Sequence, residues 1–420
     1  MSANLQYGFS KGRPEDPRNE RLRVARDHVL SKQEIPVIVQ PTIPAGMKKS
    51  LMDFQRGLNT KKSPKYLLGQ RRVRSANMKR LGLDIGTKNI VLSYRDGQAI
   101  KFRYETNGYL IFDKVDQFLE QLLVKQGVPF ISRGKEIIAI GGKAENLAYV
   151  MNRTLSRPMA EGGINKWDED AQEIVAIIIK SIIGKLEDDA VLYYCTTAQP
   201  VGNTNINIEF HKKVVKLIIE SYVKDRSNIV AEHINEGRCL VIEEQNAAIG
   251  ISWGAGTITV HAGIMGVPIF EFCVVGAGDW IDIEAAKRFG YDPEHPDHQT
   301  RETPTSICRR KEKLNLNSPK EGLDRVDQAI VLMYEILVEN VVAGIVKGFK
   351  ENRDKFKFST PVPVINAGGT SIPEGFIELF SRKFLEKKDD LQIPIGDIKK
   401  ATDPLFAVSR GCLIAAEMHK

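Results

Sequence analysis

Cysteine is scarce in this sequence: there are five in 420 residues, at Cys195, Cys239, Cys273, Cys308 and Cys412, and no two share the C-x-x-C spacing of a zinc or redox pair. That excludes a disulfide-framed secreted scaffold and makes a reducing cytoplasm the expected compartment. Long apolar runs are also missing. The most continuous, Ile174 to Ile179 and Val267 to Val275, fall far short of the roughly 18 to 20 residues of a membrane span. The first residues are too charged for a signal peptide. What remains is a chain with 42% hydrophobic residues, long for one compact domain and comfortable for two.

Charge is unevenly placed. Residues 1–80 carry 18 Lys/Arg against 6 Asp/Glu, so a chain of formal charge +7 has a basic start and a mildly acidic body. Sequence-specific nucleic-acid binding by the body is therefore not expected. Residues 1–79 are polar, with prolines at 14, 17, 36, 41, 44 and 64 and no sustained period, which predicts a largely disordered extension. Ile35 to Ile43 is its one apolar stretch, a linker or a segment able to lie along a groove or sheet edge.

From Arg80 the composition changes. Leu81 to Gly86 and Ile90 to Tyr94, with a turn at Asp96-Gly97, predict strands of a hairpin. Further on, the pattern predicts helices over 169–186, 211–223 and 326–350 and from Pro373, and strands over 191–195, 239–242 and 362–366. Thr257 to Ala262 and Val267 to Val275 form a second hairpin. Such alternation points to mixed sheets covered by helices in two lobes.

Three glycine turns recur beside apolar strands: Asp84-Ile-Gly-Thr-Lys-Asn89, Trp253-Gly-Ala-Gly-Thr257 and Asn366-Ala-Gly-Gly-Thr370. Glycine lets backbone approach a ligand, and exposed N–H groups can then hold phosphate oxygens. One such turn is as readily a plain hairpin. Three in order, each followed by a hydroxyl residue, favour a nucleotide.

These motifs resemble the actin-like ATPases, the superfamily of actin, the heat-shock chaperone ATPase domain and the sugar kinases. Leu83 to Ile90 is similar to that family's first phosphate loop, Trp253 to Thr257 to its second, and Ile365 to Pro373 to its adenosine turn. Val241 to Gly250 resembles the first connecting helix and Asp403 to Gly411 the second. Ile137 to Ala144, Arg157 to Gly162 and Arg310 to Leu314 resemble segments of the MreB-type bacterial actins. The resemblance implies a two-lobed fold closing around Mg-ATP, with lobes over 80–245 and 246–402 and a helix over 403–420 returning to the first. It also implies cytoplasmic, head-to-tail filaments. The chain ends at Lys420, soon after the second connecting helix, which leaves no residues for a chaperone's peptide-binding domain. The basic tail is a candidate tether to a membrane surface, an acidic partner or a neighbouring strand.

Carried residue by residue, the resemblance puts Gly86, Thr87, Lys88, Asn89, Gly254, Ala255, Gly256, Thr257, Gly368, Gly369 and Thr370 at the nucleotide. Asp84 would hold the metal through water, or else caps its own turn. Lys88 is a phosphate-facing cation or a solvated lysine. Gly278 and Asp279 sit in a turn facing the nucleotide or at an ordinary helix cap. Lys311 and Glu312 flank the ribose and base or lie on a solvated helix face. Seven residues before Gly250, Glu243 takes the water-positioning role, with Glu244 as fallback and a helix cap as the alternative. Where the family has an Asp, this chain has Ser252, which puts ATP hydrolysis in doubt and keeps open a nucleotide-binding protein without turnover; a non-filamentous chaperone-like or reactivating ATPase is the other alternative on the same fold. His295, Asp297 and His298 read as a surface loop rather than a metal site.

Overall fold

The computed structural model describes residues 66–67, 79–113, 117–151, 153–165, 168, 170–184, 186–200, 208–223, 229–295 and 300–419. Nearly all of the expected extension over 1–79, including Ile35 to Ile43, lies outside these, as do Asp297 and His298. Within the extension, β1 (Tyr66–Leu67) pairs antiparallel with β6 (Phe130–Arg133).

Two five-stranded sheets carry the fold, and they share one topology. The first contains β2 (Arg80–Ile85), β3 (Asn89–Asp96), β4 (Ala99–Thr106), β10 (Val191–Thr196) and β11 (Val230–Asn235), in the order β11-β10-β2-β3-β4. The second contains β12 (Ala247–Trp253), β13 (Thr257–Ile264), β14 (Val267–Val275), β15 (Val362–Ala367) and β16 (Ile395–Lys400), in the order β14-β13-β12-β15-β16. In each, three antiparallel strands are continued by two parallel ones. The glycine turns of the two hairpins therefore occupy equivalent places, at the ends of β2 and β12. A smaller sheet of β1, β6, β7 (Glu136–Ile140) and β5 (Tyr109–Phe112) extends the first lobe, and β8 (Met159–Ala160) with β9 (Gly163–Ile164) forms a short ribbon.

Among the helices are α1 (Gln117–Gln126), α2 (Gly142–Val150), α3 (Ala171–Ile183) and α4 (Ile208–Val223). They are followed by α5 (Glu236–Cys239), α6 (Gly278–Lys287), α7 (Pro304–Lys311) and α8 (Arg325–Asn352). The chain ends with α9 (Phe376–Leu385), α10 (Lys388–Leu391) and α11 (Ala407–Met418). Local chemistry sets their starts. Thr303 and Ser306 make a reciprocal capping box with Pro304 at the first turn of α7, and the Asp324 carboxylate accepts from the amides of Val326 and Asp327 to start α8. By length and composition α8 could cross a bilayer, yet 61% of its most apolar window is buried and it packs in the second lobe's core, as a core helix does. That core centres on Trp253, fully buried against the rings of Phe376 and Phe380 at 5.0 and 5.7 Å, with its Nε1 donating to Asn366 Oδ1 at 2.8 Å. Side chains of this size contribute roughly 1.5–3 kcal/mol each when buried.

The expected strand over 239–242 is instead the end of α5 and a turn, and the expected helix over 241–250 is a turn followed by the start of β12. Apolar stretches this short do not distinguish strand from helix by periodicity, and pairing with β13 and β15 decides. Helices α5 and α11 cross between the two sheets. A Cβ on Gly411 would lie 2.1 Å from the Cys239 carbonyl oxygen, so only glycine allows the crossing. Ser93 Oγ, on β3, donates to the Ser409 carbonyl at 2.6 Å and fixes α11 on the first sheet.

Candidate functional site

The two hairpin turns face each other across a cleft. In the first the Gly86 amide donates to the Asn89 carbonyl at 3.0 Å, and in the second the Gly254 amide donates to the Thr257 carbonyl at 2.9 Å. The same one-bond turn is thus built twice, once on each sheet. The loops nearly touch: a Cβ on Gly256 would lie 2.6 Å from Thr87 Oγ1. Asn107, which sequence reasoning missed, holds the first loop from behind; its side chain donates to the Gly86 carbonyl at 3.0 Å and its amide to the Lys88 carbonyl at 2.7 Å.

A cavity of about 470 Å³ runs from these loops toward the third glycine turn. Its walls bring together Asp84, Gly86, Thr87, Lys88 and Asn89 from the first lobe with Gly254, Ala255 and Thr257 from the second. Gly278, Asp279, Lys311, Glu312, Gly368, Gly369 and Thr370 complete it, while Gly256 borders the adjoining cavity. The third turn is tied to the second loop, since Thr370 Oγ1 donates to the Gly254 carbonyl at 2.7 Å. Tyr334, buried below, donates its hydroxyl to the Thr370 carbonyl at 3.1 Å. The Gly278 and Asp279 amides donate to the carbonyls of Gly254 and Ala255 at 3.2 and 2.8 Å. At the far end the walls turn apolar, with Ile372, Pro373 and Leu405.

Several charges have partners that the sequence does not disclose. Lys311 is buried, ion-paired with Asp282 at 2.6 Å and donating to the Gly278 carbonyl at 2.8 Å, so it holds α7 against α6 rather than offering a free ammonium. Lys88 reaches across the cleft to Glu312 Oε1 at 3.1 Å and Cys308 Sγ at 3.2 Å. Burial alone would lower the Lys88 pKa, but Cys308 and Glu312 carry it above the ordinary lysine value. Arg157 pairs with Asp279 at 3.3 Å. His295 is exposed, with Nδ1 2.9 Å from Asp292 Oδ2.

Glu243 does not reach the cleft. It lines a separate cavity of about 200 Å³ with Lys399 and Arg410, and Glu244 pairs with Lys399 at 3.6 Å. The reason is β12: its seven residues run for about 20 Å between these acids and the Gly254 turn. A cleft carboxylate that the sequence reading did not single out is Glu236, at the start of α5, where Asn235 caps the helix by accepting from the amides of Gly237 and Arg238. The sequence signal was there, an acid directly after a strand and beside an N-cap Asn, but it was masked by the family-like run over 241–250.

Glu236 sits with Asp84 and Cys195, their ligand atoms all within 4.8 Å of one another. Thr259 Oγ1 donates to Glu236 Oε2 at 3.0 Å, and Ser252 lines the same cavity as this carboxyl. Cys195 Sγ donates to Asp84 Oδ1 at 3.3 Å. Burial, and then the charge of Asp84, push the Glu236 pKa up to about 8, and burial lifts Asp84 to about 6. Near neutral pH the pair therefore retains a proton. Two hard carboxylates a few ångströms apart suit a divalent cation better than they suit each other. Burial keeps the Cys195 thiol protonated, so it serves as a donor to Asp84 rather than a thiolate ligand.

Glu236 also makes stability depend on pH. With its folded pKa near 8 against an ordinary 4.5, the folded chain holds the proton longer than the unfolded one. Its contribution is fully present below the unfolded value, falls as pH rises through this window and levels off above it. In urea melts of nucleotide-free protein, wild type is expected to lose up to a few kcal/mol between pH 5 and 9 relative to Glu236→Gln, since each tenfold difference in proton affinity between the two states is worth about 1.4 kcal/mol. Parallel pH profiles for the two proteins would contradict the assignment.

The sequence profile of the Volactin family matches residues 78–416. No curated protein matches the sequence. Among solved structures, one described as the MamK double helical filament aligns with a TM-score of 0.59 at 17% identity, covering 81% of this chain and 99% of its own. MreB 5 of Spiroplasma citri bound to AMPPNP aligns with a TM-score of 0.50 at 15% identity, covering 80% of this chain and 94% of its own. At such identities the likeness concerns the fold, which is the two-lobed actin-like one.

Proposed function

The chain belongs to the Volactin family, and on that premise we propose that it is an ATP-binding actin-like protein that assembles into nucleotide-dependent filaments. The carrying observation is the approach of two equivalent glycine turns, one from each sheet, at Thr87 and Gly256. Backbone amides of both loops would hold one polyphosphate, so that nucleotide ties the lobes together. We take 80–245 as the first lobe, 246–402 as the second, and 403–420 as the return to the first. The relatives' descriptions, a filament for MamK and bound AMPPNP for MreB 5, favour the same reading.

Asp84 and Glu236 would hold Mg²⁺, directly or through water; when bound, the ion supplies charge neutralisation for phosphoryl transfer. Glu236 is the group placed to accept a hydrogen bond from an attacking water, and it takes the role expected of Glu243. Ser252 supplies a hydroxyl in place of the family's carboxylate, which leaves the pair with one negative charge fewer. Slow turnover is the consequence. The apolar far end, at Ile372, Pro373 and Leu405, would take the base, and Lys88 would exchange Glu312 for phosphate. The chain is proposed to work in the cytoplasm, with its basic N-terminal segment as a tether.

Sedimentation of full-length protein over a wide concentration range tests this. With Mg-ATP a pelletable polymer is expected above a critical concentration, and electron microscopy should show filaments. Monomer throughout, with ATP bound, would remove the filament reading.

A further inference from the structure

The hairpin joining β13 to β14 ends in a two-residue turn that buries nothing. Met265 and Val267 are 74% and 67% exposed, and Met265 and Gly266 have positive φ of 52° and 76°. Such turns favour Asn or Asp before the glycine. A methionine there is locally unfavourable and adds apolar area to a projecting tip. Isolated exposed apolar side chains are ordinary; two side by side on a hairpin tip form a contact feature. The exposed Arg238 lies beside it, its guanidinium 3.6 Å from where a Gly266 Cβ would be.

At the other end of β13 lies the largest cavity among those described, about 710 Å³, bordering Ala255 and Gly256. Both lobes line it: Leu155 from the first, and Trp280, Ile283 and Tyr291 from the second, with the carboxylates of Glu161 and Glu284. Eight residues of β13 separate tip from cavity, about 25 Å.

We propose that the Met265–Val267 tip of one copy docks in this cavity of the next, a heterologous contact that repeats head to tail. The occupant is argued from three features. Tip and cavity lie at opposite ends of the same strand, as an open polymer requires and a closed twofold dimer does not. An apolar tip meets an apolar wall, and Arg238 beside the tip meets the acid Glu161, whereas Glu284 is already paired with Lys287 at 2.8 Å. Because both lobes line the cavity, its shape depends on cleft closure, which couples docking to the nucleotide. The inference rests on the proposed filament reading.

The test uses full-length protein. Met265→Asn suits the left-handed turn and Val267→Thr keeps a β-branched strand residue, so fold and ATP affinity should stay within twofold of wild type. The double variant is expected to raise the critical concentration at least tenfold or to remain monomeric. Separate pools of Val267→Cys and Glu284→Cys, mixed with Mg-ATP and a short bismaleimide, should give cross-linked dimers that neither pool gives alone. Both pools carry Cys308→Ser, because Cys308, the one cysteine not buried, itself lines the cavity. Unaltered polymerisation of the double variant, or polymer without mixed-pool cross-links, overturns the tip assignment and leaves the filament reading standing. Wild type that binds ATP but never polymerises sinks both.

Discussion

Glu236→Ala is expected to slow single-turnover phosphate release about 100-fold, roughly 2.7 kcal/mol of transition-state stabilisation, while ATP affinity changes only a few-fold. Its position is the reason. Glu236 lines the cleft beside Asp84, held by a hydrogen bond from Thr259. On the proposed reading it faces the terminal phosphate. Glu243→Ala is the matched control, since that residue lies beyond the far end of β12, and no change in rate or affinity is expected from it. Comparable losses in both variants would return the role to Glu243. Loss in neither would mean that hydrolysis does not use this corner of the cleft.

Gly256→Val should cost nucleotide affinity at least 100-fold, about 2.7 kcal/mol. Even a single added carbon would sit 2.6 Å from Thr87 Oγ1, 3.0 Å from Thr87 Cγ2 and 3.1 Å from the Gly162 amide nitrogen. Two of these atoms belong to the opposing glycine loop, so on the proposed reading the side chain must either fill the space a phosphate would take or hold the lobes apart. Gly322→Ala, where an added Cβ meets nothing within 4 Å, serves as the neutral glycine control. Affinity retained in Gly256→Val would show that the two loops do not act on one ligand.

The glycine turns were legible because tight turns and close approach of neighbouring backbone demand a residue without a Cβ, and that demand is written locally. So were the long helix and both hairpins, whose periodicity spans enough residues to be unambiguous. Glu236 was not, for two reasons. The acids over 243–244 stood at a family-like distance from Gly250, and the short apolar stretch from Ala247 to Gly250 reads equally as helix or strand until β13 and β15 flank it. Charges that act across the cleft were also hidden. Lys88 meets Glu312 some 224 positions away, and Lys311 is consumed by Asp282; neither partner is signalled by spacing. Ser252 could be seen as a departure, but its place in the same cavity wall as Glu236 could be known only once β12 and α5 were side by side.

One polyphosphate shared by two lobes underlies all of these expectations, and calorimetric titration of the full-length protein with Mg²⁺ and a non-hydrolysable ATP analogue addresses it most directly. One site per chain is predicted, with affinity lost in Gly256→Val and kept in Gly322→Ala. A titration showing no heat of saturable binding in the wild type would contradict it.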